Sequence, residues 1–586
     1  MAIQSNVNRE LRMGIDSFAQ PSITHAARKR HVRLGWLCIF ILGAVWLEAW
    51  FYGLASRALS EPDEGRYAEV AREMLVSRDW ITPRLNGFNF FDKPPLHYWA
   101  TAGAYLAFGI SPGSARLWCA LTGLLAIVAM GWAGARLFGR ETGGYIMAIL
   151  GSSLLFAFGS HINTLDMGVT AFLATGIACF MVAQFDPTAV RYRHWLNAAM
   201  WFALALAVLS KGLIGVVLPG VTLIVYMAWQ RDLGVLSRLS LLVGAAIFFA
   251  TCVPWFVAIC RIHPDFFDYF FIKEHFTRFL TSVDQRDKPM WFFLPVVAIG
   301  MLPWTILLPW TKRDWLAIHP HEPAKRFALA WIGVVFVFFS VSHSKLPFYI
   351  LPLFPALAFL VAQLVAALPS DALRRRLWII AVVAGLCACA TLVVASTKHL
   401  NVSADVAHQA LRGVSWSFAL IALAALFGTF VHARYRYVSV YTLAFASLIG
   451  WQLTLKSFQT FADMDSAEPV ARLITPELGP HTEVYIVHRY LRGLPFYLGR
   501  LTTVVEHQDD DMTPALASRP DGYISDFATF EHTWRAGSDA VALVPDSDIS
   551  RLQTDQMPFR VIGRIQESTV ISRDEFRSIK PAPKSP

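Results

Sequence analysis

Charged residues are scarce in this chain of 586 residues. Asp, Glu, Lys and Arg together make up only 16% of it, against about a quarter in soluble globular domains. Hydrophobic residues reach 55%, and they gather in blocks of about 20, the length that crosses roughly 30 Å of hydrocarbon. The composition therefore excludes a soluble globular protein and predicts a chain that crosses a membrane many times.

Cysteine is also sparse: the seven residues fall in or beside apolar segments, and no two are spaced like a metal clip or a redox pair. They are expected to behave as small buried hydrophobes. The sequence has no convincing glycine-rich nucleotide loop, no internal repeat and no low-complexity stretch. These absences argue against a nucleotide cofactor and give an inverted-repeat transporter no direct support.

Hydropathy predicts about thirteen transmembrane helices. They cover residues 34–54, 116–138, 142–160, 164–184, 195–209, 212–229, 239–260, 291–310, 327–342, 346–367, 377–396, 416–432 and 438–458. The net charge is +9, and the Lys and Arg residues cluster in every second connection, beginning with the polar tail of residues 1–33. Membrane topology explains them better than a nucleic-acid partner does, and the positive-inside rule places the N-terminus in the cytoplasm.

An odd number of spans places residues 460–586 on the extracytoplasmic side, together with the long loops 55–115 and 261–290. The C-terminal region alternates short β-rich runs, such as 483–487, with polar and helical stretches. The predicted fold is thus an all-α polytopic membrane bundle over residues 34–459, followed by a small extracytoplasmic α/β domain with a disordered tail.

The first long loop carries two groups of charged residues. Asp63 and Glu64 open an amphipathic helix that begins at Pro62 and is expected to lie along the membrane surface. One acid can cap the helix, which leaves the other free for a second role. Further along, Asp92 and Lys93 precede two prolines that hold the backbone in a fixed kink, so they are either a surface ion pair or a binding pair for phosphate and metal.

Other candidate residues come from later extracytoplasmic turns. His275 and Arg278 are three residues apart and would share a helical face. Asp166 opens the fourth span, where an ionisable group is a functional candidate by default. Tyr349 follows a polar turn, and it is either a site residue or an interfacial anchor.

Four motifs in these loops together resemble a known family. They are Pro-Asp-Glu-x-Arg-Tyr-Ala-Glu from Pro62, Phe-Asp-Lys-Pro-Pro-x-x-Tyr-Trp from Phe91, Glu-His-x-x-Arg-Phe from Glu274 and Ser-x-x-Lys-Leu-Pro-x-Tyr from Ser342. The set resembles the aminoarabinose transferases that modify lipid A. More broadly, it is similar to the polyprenyl-phosphate-dependent glycosyltransferases of GT-C fold, which include the protein mannosyltransferases.

The resemblance implies a bacterial inner-membrane glycosyltransferase with an undecaprenyl-phosphate-linked sugar donor and lipid A or a related surface glycan as acceptor. It implies that Asp63 is the essential carboxylate and Asp166 a second acid in the cavity. Lys93, Arg278 and Tyr349 would hold the donor phosphate.

The resemblance also implies a divalent metal, with zinc the first choice, at Asp92 and His275. Asp92 stands where the family commonly has Glu, one methylene longer. Asp and His are both acceptable zinc ligands.

Three alternatives remain open from the sequence. A related transferase would move another sugar to a different glycan, lipid or protein. A lipid or solute transporter would suit the many spans, but the polar groups crowd one face and form no path through the bilayer. A scaffold that binds a partner through the C-terminal domain leaves the loop motifs unexplained.

Overall fold

The computed structural model describes residues 41, 43–277, 288–319, 322–396, 404–507, 513–537 and 539–573. The chain forms two units, Met1–Tyr52 and Gly53–Pro586. In the first unit, residues 41 and 43–51 are helical, and the rings of Trp46 and Trp50 stack with centroids 5.4 Å apart. Residues 34–40 and 42 of the predicted first span, 34–54, lie outside the described residues.

Most of the second unit is α-helical. Up to the end of the bundle, its α-helices are Asp63–Ser77, Leu96–Phe108, Pro112–Phe138, Arg140–Ser152, Leu154–His161, Leu165–Phe185, Arg193–Lys211, Ile214–Gln230, Leu241–Ile262, Phe293–Gly300, Lys312–Ala317, Pro323–Val341, Phe354–Ala367, Ser370–Ser396, Ala404–Val431 and Arg436–Ser457. Short 3-10 turns connect several of them, including Pro347–Leu353, and Asp268–Thr277 is a π-helix.

Eight helices among the described residues are long and apolar enough to cross a membrane. The number rises to nine when Arg140–Ser152 and Leu154–His161, bent by 65° at their junction, count as one span. Two further apolar helices, Ile214–Gln230 and Met290–Gly300, are shorter. The polytopic helical bundle is confirmed, while the count of thirteen spans stays a prediction.

Two spans form the most enclosed part of the bundle. Leu165–Phe185 is 94% buried over its apolar window and packs against Pro112–Phe138 and Arg193–Lys211. The stretch Pro347–Ala367 is 89% buried. Asp166 and Tyr349 lie near the starts of these two spans, so the bundle core fixes the backbone that carries both side chains.

The helix predicted from Pro62 is present as Asp63–Ser77, here named the loop helix. Its surroundings differ from the prediction, because charged Arg66, Glu69 and Arg72 are buried together with the apolar face. The loop helix packs against Leu96–Phe108 and the C-terminal region, where a side chain on Gly65 would meet the backbone of Gly493. The charged side of the loop helix is therefore enclosed by protein.

The C-terminal region contains a six-stranded sheet, preceded by a two-stranded hairpin in the first loop. The hairpin strands are β1 (Arg84–Leu85) and β2 (Phe88–Asn89), and the sheet strands are β3 (Glu483–Val487), β4 (Thr503–Val505), β5 (Tyr523–Ile524), β6 (Ala540–Pro545), β7 (Arg560–Ile565) and β8 (Ser568–Ser572).

The sheet order is β5-β4-β3-β6-β8-β7, with β3 to β6 parallel and β8 antiparallel to both neighbours. Short α-helices connect and cover it; they are Ala462–Asp465, Glu468–Ile474, Leu494–Leu498, Phe527–Ala536 and Asp546–Thr554. Buried apolar clusters lie on both of its faces. The small α/β domain predicted from the sequence is confirmed.

Candidate active site

The two adjacent acids at the start of the loop helix, Asp63 and Glu64, have different surroundings. Asp63 keeps 42% of its side chain exposed, and its nearest charged neighbour is Arg66, at 4.0 Å between Oδ1 and Nη1. No hydrogen bond joins the Asp63 carboxylate to another described residue. The Asp63 carboxylate is therefore open to a substrate, and its role as the essential carboxylate stays a prediction.

Glu64 has the structural role. Arg116 donates to both of its carboxylate oxygens at 2.7 Å, and the backbone N–H of Asn163 donates to Oε1 at 2.8 Å. Burial alone would raise the pKa of Glu64, but Arg116 outweighs it and lowers the pKa to about 2. Glu64 is thus charged at every physiological pH and fixes the helix beside Asp63.

Arg116 was not singled out in the sequence, although it also organises the first loop. The fully buried guanidinium donates to the backbone carbonyls of Leu54, Arg57 and Ala58 at 2.7–2.9 Å. An arginine at the helix end that the sequence predicts to be extracytoplasmic departs from the positive-inside pattern. That departure was the available signal for a structural or functional role.

Asp166 and Tyr349 are brought together by a residue that the sequence did not assign to the site. Lys211, the last residue of helix Arg193–Lys211, forms an ion pair with the Asp166 carboxylate. Its Nζ also lies 4.2 Å from the centroid of the Tyr349 ring. A lysine at the end of an apolar helix, on the face that carries the other motifs, was the signal for it.

Tyr67 connects this cluster to Asp63. The phenol lies one helical turn after Asp63 and is largely buried. Burial raises the pKa of Tyr67 well above its usual value, and the Asp63 carboxylate and the Tyr349 phenol act in the same direction. Asp63 and Tyr349 therefore both lie within electrostatic reach of Tyr67.

The second group of predicted residues forms where the two long loops meet. Lys93 Nζ is 2.7 Å from Glu274 Oε2, and it also donates to the Asp92 carbonyl at 2.8 Å. The Asp92 side chain is buried, and its Oδ1 accepts a hydrogen bond from the Tyr269 hydroxyl at 2.7 Å. In this structure Lys93 is ion-paired, so a donor phosphate would have to share it with Glu274 or displace Glu274.

Arg66 bridges the two groups along the loop helix. Its guanidinium lies 6.0 Å from the ring centroids of both Tyr67 and Phe90, within the range of a cation–π contact. Phe90 is two residues before Asp92. The Asp63 side of the site is thereby positioned relative to the Asp92–Lys93 kink.

His97 and Asn163 are two uncharged, buried residues that pack next to the site. His97 Nε2 lies 2.9 Å from Asn163 Oδ1, and the ring is fully enclosed. Burial lowers the pKa of His97 to about 4. The imidazole is therefore neutral near pH 7 and acts as a packing and hydrogen-bonding group.

The predicted metal ligands are only partly described. The backbone of His275 lies in the π-helix Asp268–Thr277, but its side chain and all of Arg278 fall outside the described residues. Within the described part of the chain, no three His, Cys, Asp or Glu side chains converge on one point. The donor set visible around Asp92 thus does not by itself fit a metal, and a zinc ion there stays a prediction.

Two family models match separate parts of the chain. Residues 36–270 match the model for dolichyl-phosphate-mannose-protein mannosyltransferase, and residues 470–573 match the aminoarabinose transferase C-terminal domain. The second match covers the α/β domain, for which the sequence motifs offered no assignment.

Curated relatives include undecaprenyl phosphate-alpha-4-amino-4-deoxy-L-arabinose arabinosyl transferases from two bacteria. The protein of Erwinia tasmaniensis is 33% identical over 53% of this chain and 56% of its own length. That of Enterobacter sp. strain 638 is 30% identical over 68% of this chain and 73% of its own length. The chain thus matches little more than half the length of the Erwinia relative.

A crystal structure of ArnT from Cupriavidus metallidurans bound to undecaprenyl phosphate is similar over a longer range. It has a TM-score of 0.86 and 32% identity, and the match covers 92% of this chain and 98% of that chain. Its apo form gives a TM-score of 0.84 over the same shares. Because these matches extend through both the helical bundle and the C-terminal sheet, the chain belongs to the aminoarabinose transferase family, within the GT-C glycosyltransferases.

Proposed function

We propose that the protein transfers 4-amino-4-deoxy-L-arabinose from undecaprenyl phosphate to lipid A on the extracytoplasmic face of the bacterial inner membrane. The observation that carries this proposal is the similarity over 98% of the ArnT chain crystallised with undecaprenyl phosphate. The names of the curated relatives supply the sugar. The lipid A acceptor follows from the family alone.

In the proposed reaction, the bond between the sugar and the donor phosphate breaks as the acceptor attacks the sugar. The leaving group changes from a phosphodiester to a phosphomonoester, so its negative charge increases in the transition state. Lys93 and Arg278 would stabilise that charge, and the Tyr349 hydroxyl would donate to a phosphate oxygen. Lys211, against the Tyr349 ring, adds a positive charge on the same side.

The role of Asp63 depends on the acceptor group. A hydroxyl acceptor needs a general base, whereas a phosphate acceptor is already nucleophilic. With a phosphate of lipid A as acceptor, Asp63 would orient it or stabilise positive charge on the sugar ring. The Asp63 carboxylate is 42% exposed and only loosely paired with Arg66 at 4.0 Å, which suits either role.

The test is mass spectrometry of lipid A and other surface glycans from the native host with and without this gene. Complementation uses the wild type, Asp63→Asn and, as a matched control, Asp265→Asn at an exposed acid of the second loop. The proposal predicts loss of a pentosamine-sized increment from lipid A, restored by the wild type and the control only.

Other outcomes would correct the proposal. An unchanged lipid A with a sugar missing from another glycan would keep the transferase and change its acceptor or sugar. No change in any glycan would contradict glycosyl transfer and favour transport. The proposed orientation, with a cytoplasmic N-terminus and an extracytoplasmic C-terminal domain, is tested separately by labelling single cysteines introduced into residues 460–573 with an impermeant reagent.

A further inference from the structure

A cavity of about 250 Å³ lies beside the ends of helices Leu154–His161 and Arg436–Ser457. Phe158, Leu455 and Phe458 form much of its apolar wall. Its polar lining includes Arg57 and Asp465, from the start of the first loop and the start of the C-terminal region. None of these residues belongs to the proposed transfer site.

Arg57 is the unusual member of this lining. Only 8% of the residue is exposed, and its Nη2 donates to the His161 carbonyl at 2.6 Å. No carboxylate in the described part of the chain forms an ion pair with it. The remaining N–H groups of the guanidinium are left to the cavity, since they have no partner among the described residues.

The charges around Arg57 do not balance. The nearby acid is Glu64, but both of its oxygens are taken by Arg116, which itself repels Arg57. Burial and Arg116 lower the pKa of Arg57 to about 10, so it is still a cation at neutral pH. A largely buried cation that shares its one attracting carboxylate with a second arginine is costly unless a further anion binds to it.

The rest of the lining restricts the class of anion. The apolar wall, with Phe458 48% exposed, suits acyl chain that enters from the membrane. Asp465 supplies a carboxylate that would repel a purely anionic headgroup and attract an amine. A phosphate next to an ammonium group on a lipid satisfies Arg57, Asp465 and the apolar wall together.

We propose that this cavity binds a zwitterionic phospholipid headgroup, with the phosphate on Arg57, the amine towards Asp465 and an acyl chain along Phe158 and Leu455. Phosphatidylethanolamine has this chemistry. Such a lipid would fill the space between the two helix ends and neutralise Arg57. The proposal does not depend on which sugar or acceptor the transfer site uses.

The experiment uses the full chain, stripped of lipid in detergent and incubated with vesicles of equal phosphatidylethanolamine and phosphatidylglycerol. Lipid retained per protein is measured by mass spectrometry after repurification. We expect phosphatidylethanolamine to be enriched over phosphatidylglycerol by about tenfold. Arg57→Gln should remove the enrichment, and Asp465→Asn should shift retention towards phosphatidylglycerol.

Two further variants keep the test decisive. Arg472→Gln, at an exposed arginine paired with Glu468 outside the cavity lining, is the matched control and should bind like the wild type. Phe158→Trp fills the cavity while leaving Arg57 in place, so it should also reduce lipid retention. It replaces Arg57→Gln as the test if that variant does not fold. Retention by Phe158→Trp equal to the wild type would contradict occupation of the cavity.

Three further results would overturn the proposal. One is a retained lipid mixture equal to that of the vesicles, and another is equal retention by Arg57→Gln. The third is displacement of the lipid by an excess of inorganic phosphate, which would show that the site recognises a free phosphate and not a headgroup.

Discussion

The ammonium group of Lys211 pairs with the Asp166 carboxylate and at the same time lies 4.2 Å from the centre of the Tyr349 ring. It thereby joins the starts of the two most enclosed spans of the bundle. A cation over an aromatic face contributes about 0.5–2 kcal/mol, depending on its exposure to water. The arrangement holds the Tyr349 phenol next to a fixed positive charge.

Replacing Lys211 with Met should lower kcat by about 100-fold, because a positive charge is lost where negative charge grows on the leaving phosphate. Turnover is measured with saturating donor and acceptor in detergent. Lys456→Met, at an exposed lysine of another helix end, is the control and should retain wild-type turnover.

Lys211→Met also leaves Asp166 without its ion-pair partner, so a loss of stability has to be separated from a loss of chemistry. The double variant Lys211→Met/Asp166→Asn removes both charges. It should recover the melting temperature of the wild type but not its turnover. Recovery of turnover in the double variant would show that Lys211 serves only to neutralise Asp166.

Replacing the acid with its amide should affect activity at Asp63 and stability at Glu64. Asp63→Asn should abolish transfer and leave the melting temperature unchanged, because Asp63 accepts no hydrogen bond from the described residues. Glu64→Gln should destabilise the fold by about 3–5 kcal/mol, because it leaves the buried Arg116 without its counter-ion. Turnover and thermal unfolding are measured on both variants, and an active Asp63→Asn enzyme would refute the role given to Asp63.

This contrast marks the boundary of what the sequence could predict. The motif identified two adjacent acids and assigned the essential role to Asp63, but it could not name the partner of Glu64. Arg116 is 52 residues away, and Lys211 is 45 residues from Asp166. Such pairs depend on how the helices pack, and one sequence gives no information on which helices are neighbours.

Local patterns were more informative. The run Glu483–Val487 was predicted as a strand and is β3 with the same bounds, because alternating and β-branched residues determine a strand within a few positions. The loop helix was also predicted, yet its charged face is buried. The amphipathic pattern predicts the helix. It does not predict that the C-terminal domain packs against the charged side.

Glu274 provides a test of the donor site. The structure pairs Lys93 with Glu274 at 2.7 Å, so a donor phosphate bound to Lys93 as proposed would compete with this carboxylate. Lys93→Ala should raise the KM for the lipid donor by about tenfold or more, as expected for a lost charge-assisted contact. Glu274→Gln should lower that KM several-fold, because the competing charge is removed. The KM for the acceptor is the internal control, and a higher donor KM in Glu274→Gln would contradict the competition.

The link between the first loop and the C-terminal domain should depend on pH through Glu61. The backbone N–H groups of Arg492 and Gly493 donate to its carboxylate at 3.1 and 2.6 Å. Burial raises the pKa of Glu61 from 4.5 to about 7, although these hydrogen bonds and Arg492 oppose the shift. The folded protein then binds more protons than the unfolded chain between these two pH values, so stability falls as the pH rises from 4.5 to about 7.

Glu61→Gln mimics the protonated acid and should flatten this part of the stability curve, giving a higher melting temperature than the wild type at pH 8. Melting curves of both proteins across this range provide the measurement, with Glu468→Gln, at a partly exposed acid of the same region, as control. Parallel curves for the wild type and Glu61→Gln would show that Glu61 does not titrate in the folded protein.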